Sequence, residues 1–118
     1  MLYIGRMDVL STFESRYFDT APGVRLHAKV GGPDGAPTLL FVHGFPEFWF
    51  SWRQQLAAFS RDYRCVAIDL RGFNLSSQPV EVSAYKAAHL VGDLVAVIGA
   101  LGAPVHAVIA HDWGGAVA

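Results

Sequence analysis

The pattern of apolar and polar positions predicts strands of two kinds along the chain. Residues 24–30 alternate apolar and polar side chains, which is the pattern of an antiparallel strand with one covered face. Residues 16–19 precede them across the turn Ala21-Pro22-Gly23, so the two segments predict a hairpin. Three later runs are apolar without alternation, which favours parallel strands buried on both faces. These runs are residues 38–42, 65–68 and 105–110.

Helical patterns separate the apolar runs. The first predicted helix carries apolar residues at intervals of three and four. The second is expected to have Ser83 as its N-cap and to end before Gly102 and Pro104. A third is expected from Gly114 onward. The apolar stripes are Trp49, Trp52, Leu56 and Phe59 in the first helix and Ala87, Leu90, Val91, Leu94, Ile98 and Leu101 in the second.

This order of elements predicts an α/β fold with a mainly parallel sheet and an antiparallel first hairpin. We expect residues 1–118 to form a single partial core domain, with an N-terminal extension over about residues 1–15 and Met7 as an alternative start. Strand 105–110 would lie at a bare edge of the sheet, and its covering helix would be cut short. The chain is therefore expected to be the front part of a longer protein.

Composition narrows the classes of partner. The 118 residues contain 9 Lys and Arg against 10 Asp and Glu, a net charge of −1 that offers no excess of basic residues for nucleic acid or an anionic membrane. With 53 % hydrophobic residues the chain has ample material for a core. A single cysteine, Cys65, and the lack of a recognisable targeting segment predict a cytoplasmic protein.

Three polar turns follow the three apolar runs. In open α/β sheets, ligands bind beyond the carboxyl ends of the strands, so these turns are expected to share one site. The turns are His43-Gly44-Phe45-Pro46, Asp69-Leu70-Arg71-Gly72 and His111-Asp112-Trp113-Gly114-Gly115.

The third turn resembles a nucleophile elbow with Asp112 as the reactive residue. Ala110, Gly114 and Gly115 are small, which lets strand and helix approach closely and turns the central side chain outward. The alternative is that Asp112 only caps the following helix, and the two roles are compatible because a helix N-terminus favours an ionised carboxylate. The three turns together favour the catalytic role.

A carboxylate nucleophile defines a class of chemistry. It is anionic at neutral pH and can displace a leaving group from a saturated carbon, giving an ester on the enzyme that water then hydrolyses. Strained or polarised C–O and C–halogen bonds are the expected targets. The backbone N–H groups of Phe45 and Trp113 are the candidate oxyanion-hole donors.

The other polar residues of the turns are expected to support the site. We predict that His43 holds its loop by hydrogen bonding, that His111 is structural, and that Asp69 and Arg71 organise the turns as an ion pair. Trp49 is expected in the core or a pocket wall. His27, His89 and His106 lack partners at ligand spacing, so no metal site is predicted.

The chain resembles an epoxide hydrolase of the α/β-hydrolase superfamily. His43-Gly44-Phe45-Pro46-Glu47-Phe48-Trp49-Phe50-Ser51-Trp52-Arg53 is close to that family's H-G-F-P-E-x-W-Y-S-W-R signature, and the segments starting at Asp69 and His111 resemble its D-L-R-G-Y and nucleophile turns. Two positions depart from the family, Ala110 and Asn74, where Gly is usual. Asn is among the few residues that accept positive φ, which favours survival of that turn.

The resemblance implies that Asp112 is the nucleophile, that Phe45 and Trp113 form the oxyanion hole, and that Pro46 lies in a cis-proline turn. It implies conversion of an epoxide and water to a vicinal diol, without a cofactor. It also implies that the acid, the base and the lid tyrosines lie beyond the nucleophile, so the 118 residues alone are expected to lack turnover.

Two alternatives stay open. A haloalkane or haloacetate dehalogenase shares the nucleophile, although Phe45 after His-Gly and Trp113 after Asp112 favour the epoxide enzyme. A non-catalytic fragment that binds a partner by strand addition at the bare sheet edge is the other alternative. The sequence leaves the oligomeric state undetermined.

Overall fold

The computed structural model describes residues 9–118, so the proposed alternative start at Met7 lies outside the described residues. Its regular elements alternate strands and helices after an initial hairpin, as the pattern of apolar runs predicts. The strands are β1 (Glu14–Ala21), β2 (Val24–Gly31), β3 (Thr38–Val42), β4 (Arg64–Ile68) and β5 (Val105–Ala110); the α-helices are α1 (Arg53–Phe59), α2 (Ala87–Ala100) and α3 (Trp113–Val117); and 3-10 turns occupy Val9–Thr12, Trp49–Trp52 and Val82–Tyr85.

The five strands form one mixed sheet in the order β1-β2-β4-β3-β5. The first hairpin is antiparallel and continues antiparallel onto β4, whereas β3 lies parallel to both β4 and β5. In the register, Phe41 of β3 lies opposite Ala67 on β4 and Ile109 on β5. This confirms the predicted α/β sheet. Because β3, β4 and β5 are parallel, the three polar turns all lie at the carboxyl ends of these strands.

Apolar side chains cover both faces of the sheet. Leu40 and Val66 project toward α2, where they pack with Leu94 and Val97. On the other face the core includes Phe41, Leu56 and Cys65, packed against the tryptophans of the 3-10 turn at 49–52. Alternate residues of β3 and β4 thus bury opposite faces, which is why these runs show no polar positions. The Cys65 side chain is fully buried, and this burial raises the pKa of its thiol to about 11.

Helix α2 begins at Ala87, three residues later than an N-cap at Ser83 predicts, because hydrogen bonds hold the preceding turn. Ser83 is not an N-cap and lies within the 3-10 turn Val82–Tyr85. The carbonyl of Ala84 accepts a 2.7 Å hydrogen bond from Arg71 Nη1, and the hydroxyl of Tyr85 donates to the carbonyl of Pro79 at 2.7 Å. These bonds fix the segment outside the helix.

The buried face of α2 also differs from the predicted stripe. Val91 is 41 % exposed, whereas Val97 and the charged residue Asp93 are buried. Asp93 is buried because Arg71 pairs with it, a partner that helical periodicity within α2 cannot reveal.

Strand β5 is less covered than a fully apolar run predicts. It is the edge strand of the described sheet and pairs with β3 alone, and none of its residues is fully buried. Val108 is 42 % exposed. The expected bare edge is therefore present in residues 9–118.

The N-terminal extension was expected over about residues 1–15, but residues from Phe13 onward already belong to the folded core. Phe13 is buried in the core beneath the 49–52 turn, and β1 already begins at Glu14. No helix among residues 9–118 is long and apolar enough to cross a membrane.

Candidate active site

Asp112 lies in the sharp turn between β5 and α3 with an unusual backbone. Its φ of 55° and ψ of −121° are conformations that residues other than glycine rarely adopt. Gly114 makes the turn possible, since a Cβ at that position would lie 2.4 Å from the carbonyl oxygen of Val42 and 2.5 Å from that of His43. The Asp112 residue is exposed, and its carboxylate makes no capping bond to α3. The capping alternative therefore has no geometric support here.

Gly115 does not share the role expected for it. A Cβ there would meet nothing within 4 Å in the described chain, so close approach of strand and helix depends on Gly114.

The loop after β3 brings a backbone donor to the Asp112 carboxylate. The N–H of Phe45 donates to Asp112 Oδ2 at 3.4 Å. Gly44 permits this approach, because a Cβ on it would lie 2.8 Å from the Cβ of Asp112. The Phe45–Pro46 peptide is cis, as the family resemblance implies. Trp113, the second expected donor, directly follows Asp112 as the first residue of α3.

His43 ties two of the turns together. Its Nδ1 donates to the carbonyl of Gly44 at 2.8 Å, and its Nε2 accepts the N–H of Leu70 at 2.9 Å, which defines one neutral tautomer. Burial lowers the pKa of His43 from its usual value, against smaller opposing effects of Gly44, Asp69 and Glu47. The loop-holding role predicted for His43 has these two bonds as its basis.

Glu47 closes the loop that carries Phe45. Its Oε1 accepts the N–H of Gly44 at 3.0 Å, and its own N–H donates to the carbonyl of Gly44 at 3.0 Å. The imidazole of His111 lies with Nδ1 at 3.7 Å from the same Oε1. His111, which follows β5, thus contacts the loop after β3.

The predicted ion pair between Asp69 and Arg71 is wrong. The Asp69 carboxylate accepts the N–H of Trp49 at 2.8 Å, Nδ2 of Asn74 at 2.9 Å and Nδ1 of His27 at 2.7 Å. Residues two apart on a turn diverge, and each side chain finds its partner on a different element. Asn74 has a φ of 46°, so the turn keeps a left-handed residue where the family usually has glycine.

Arg71 pairs instead with Asp93 on α2. Its Nε and Nη2 donate to the two carboxylate oxygens at 2.8 and 2.7 Å, and both side chains are almost fully buried. Thr20 of β1 adds a 2.7 Å hydrogen bond to Asp93. The turn after β4 is thereby fixed to α2 and to the first hairpin.

An apolar cleft of about 340 Å³ adjoins the turn at Asp112. Phe45 and Trp113 form part of its wall and are 61 % and 54 % exposed. A larger cleft of about 520 Å³ lies at the opposite ends of the strands and contains none of the predicted site residues. The smaller cleft is lined by Phe45, Leu70, Arg71, Gly72, Phe73, Tyr85, Leu90, Trp113 and Val117.

Sequence reasoning missed the partners of Asp69 and Arg71, which are His27 and Asp93. It left His27 without a partner, but His27 lies between Asp69 and Ser15, and it gave no role to Asp93. A polar residue at an inward-facing position of a strand or helix was the available signal, since buried polar groups are normally paired. Trp49 is partly buried and packs against the core cluster that contains Phe41 and Leu56.

No group of three or more His, Cys, Asp or Glu among residues 9–118 could hold a metal ion.

Comparison with known proteins places this geometry in a family. The chain is 51 % identical over 111 residues to epoxide hydrolase 1 of Caenorhabditis elegans, and 44 % identical over 96 residues to human epoxide hydrolase 4. A crystal structure of an epoxide hydrolase from Vigna radiata superposes with a TM-score of 0.83 at 44 % identity, covering 92 % of this chain.

The chain spans about a quarter of the length of these curated relatives, 27 % and 26 %, and 34 % of the Vigna radiata chain. The predicted resemblance to the N-terminal part of an epoxide hydrolase is confirmed. A model of the α/β-hydrolase fold matches residues 37–118, which include the three turns and the strands that carry them. The chain belongs to the α/β-hydrolase fold family.

Proposed function

We propose that the protein carrying these residues is an epoxide hydrolase and that Asp112 is its nucleophile. The observation that carries this proposal is the Asp112 carboxylate, held on a left-handed turn with Oδ2 3.4 Å from the N–H of Phe45. Such a carboxylate needs no base before it attacks carbon. The similarity to epoxide hydrolases favours an epoxide over a halogenated substrate.

In the first step a carboxylate oxygen of Asp112 attacks one epoxide carbon. The C–O bond of the strained ring breaks, and the product is an alkyl ester whose former ring oxygen takes a proton from the acid expected beyond the nucleophile. In the second step the base expected beyond the nucleophile takes a proton from water, and the water oxygen attacks the ester carbonyl carbon of Asp112. The N–H groups of Phe45 and Trp113 then stabilise the oxyanion that forms on the carbonyl oxygen. The bond between the carbonyl carbon and the alkyl oxygen breaks, the alkyl oxygen takes up the proton from the base, and the vicinal diol leaves the restored carboxylate.

The ester intermediate is tested by a single turnover in water labelled with heavy oxygen, using the protein at its full natural length. Because water attacks the carboxyl carbon, the label should enter the peptide that contains Asp112, and the first diol should carry unlabelled oxygen from the carboxylate. Label in the diol but not in the peptide would exclude this mechanism.

The nucleophile is tested by Asp112→Asn, whose amide cannot form the ester. Diol formation from styrene oxide should fall by about 10⁴-fold or more. Asp62→Asn, in the loop before β4, is the matched control and should retain activity. Halide release from a haloalkane without diol formation would support the dehalogenase, and inactivity toward both substrates would support the non-catalytic alternative.

A further inference from the structure

A second nucleophile–base pair lies on the face of the first hairpin that is turned away from α2. The hydroxyl of Ser15 lies 2.8 Å from Nε2 of His27, and Nδ1 of His27 lies 2.7 Å from Oδ2 of Asp69. A hydroxyl bonded to an imidazole that a carboxylate orients is the signature of an activated serine. Asp69 belongs to the turn after β4, but Ser15 and His27 lie on β1 and β2, outside the three turns around Asp112.

The two inner members of this chain of hydrogen bonds are fixed. His27 and Asp69 are fully buried, and the Asp69 carboxylate also accepts N–H groups from Trp49 and Asn74. The ring of Tyr17 lies against His27 with 5.2 Å between the ring centroids. The imidazole therefore has one orientation. In the neutral ring, the acceptor Asp69 places the proton on Nδ1 and leaves the lone pair of Nε2 toward Ser15.

The outer member is accessible. Ser15 is exposed on β1, which is the edge strand of the sheet. Its partner in the antiparallel register is Lys29, and directly opposed residues project on the same face about 5 Å apart. The Lys29 ammonium itself lies over the ring of Trp49, 5.5 Å from the ring centroid.

We propose that Ser15 is a second reactive site, which accepts acyl groups from small activated carboxylic esters. Ser15 Oγ attacks the ester carbonyl carbon and its proton passes to His27 Nε2. The new C–Oγ bond forms, the bond to the leaving phenolate or alkoxide breaks, and His27 returns the proton to that leaving group. The products are O-acyl-Ser15 and a phenol or alcohol. Unlike the reaction at Asp112, this step transfers an acyl group to a hydroxyl.

The test uses p-nitrophenyl acetate with the protein at its full natural length. Peptide mass spectrometry should find the acetyl group on Ser15, and release of nitrophenol should show a fast phase that Ser15→Ala removes. Ser83 is an exposed serine of the turn Val82–Tyr85 and serves as the internal control. Acylation at Ser15 should be at least about 100-fold faster than at Ser83, the usual contribution of a positioned base.

Two variants separate the possible origins of the signal. His27→Gln removes the base and should slow Ser15 acylation to the rate at Ser83, with folding checked by circular dichroism. In Asp112→Asn the acetyl group should still appear on Ser15, which makes this proposal independent of the proposed epoxide chemistry. Equal labelling of Ser15 and Ser83, or labelling at Asp112 alone, would overturn the proposal even if His27→Gln fails to fold.

Discussion

At the scale of single residues, the site depends on two glycines that cannot carry a larger side chain and on one histidine that must stay neutral. Neither Gly44 nor Gly114 has room for a Cβ. Asp112 lies against Gly44, and the carbonyl groups at the carboxyl end of β3 lie against Gly114. His43 contributes differently. Its neutral ring accepts one backbone N–H and donates to one backbone carbonyl, so a second proton on the ring would break the bond to Leu70.

Protonation of His43 should make stability depend on pH. Burial lowers the pKa of His43 in the folded protein below the 6.5 of an exposed histidine. Below pH 6.5 the unfolded chain therefore binds more protons than the folded one, and stability falls as the pH drops from 6.5 toward the lowered pKa. Each unit between the two pKa values is worth about 1.4 kcal/mol.

Urea unfolding of the full-length protein between pH 8 and pH 5 measures this effect. His43→Gln should be less stable at pH 8, and the difference from the wild type should shrink as the pH falls. His89→Gln, at an exposed position of α2, is the matched control and should leave the pH profile unchanged. A constant difference between His43→Gln and the wild type would show that His43 does not titrate as inferred.

At the scale of elements, buried polar contacts fix helices and turns to the sheet more specifically than apolar packing does. The Arg71–Asp93 pair joins the turn after β4 to α2, and Thr20 adds the first hairpin to the same carboxylate. The carbonyl of Ala84 uses the remaining Arg71 nitrogen, which places the 3-10 turn before α2. One guanidinium thus decides where the helix begins and which face it buries.

Removal of either partner should destabilise the fold strongly. Asp93→Ala leaves the Arg71 charge buried and unpaired, which typically costs about 3–5 kcal/mol. The double variant Arg71→Met with Asp93→Leu should lose less than Asp93→Ala, because no buried charge remains. The free energy of unfolding in urea measures both changes.

The exposed pair Asp19–Arg25 provides the comparison for the buried pair. Its atoms lie 3.1 Å apart, but its side chains are 77 % and 61 % exposed. Asp19→Ala should therefore have little effect, about 1 kcal/mol at most. Similar losses for Asp19→Ala and Asp93→Ala would contradict the role assigned to burial.

At the scale of the whole molecule, the order of the strands decides both the site and the exposed edge. The inner strands β2, β4 and β3 each have a neighbour on both sides, whereas β1 and β5 have one. The site lies at the carboxyl ends of β3, β4 and β5, so one of the strands that carry it, β5, is at the edge of the described sheet.

Amide hydrogen exchange should report whether a further strand covers β5 in the protein at its full natural length. In a polypeptide of residues 1–118, the amides of β5 should exchange much faster than those of β3, because half of them lack a partner strand. In the full-length protein a further strand beside β5 should bring its protection close to that of β3. The edge strand β1 is the reference, with the same exchange in both. Unchanged fast exchange of β5 at full length would support a free edge for strand addition.

The sequence predicted features that depend on neighbouring residues better than features that depend on residues far apart in the chain. Continuous apolar runs located β3 and β4 closely, because an inner strand must be apolar on both faces wherever it lies. The turn at Asp112 was recognisable from Gly114, since the close approach of helix and strand there leaves no room for a Cβ. Such local requirements act over a few residues and can be read from the chain.

The tertiary structure alone decided which polar groups pair. Asp69 and Arg71 are two residues apart, yet the first bonds to His27 on β2 and the second to Asp93 on α2. Ser15 meets His27 only because β1 and β2 pair in the observed register. Partner choice depends on strand order and on which face each side chain takes, and a buried polar group bonds to whatever the packed fold brings within about 3 Å of it. No periodicity within one segment encodes that neighbour.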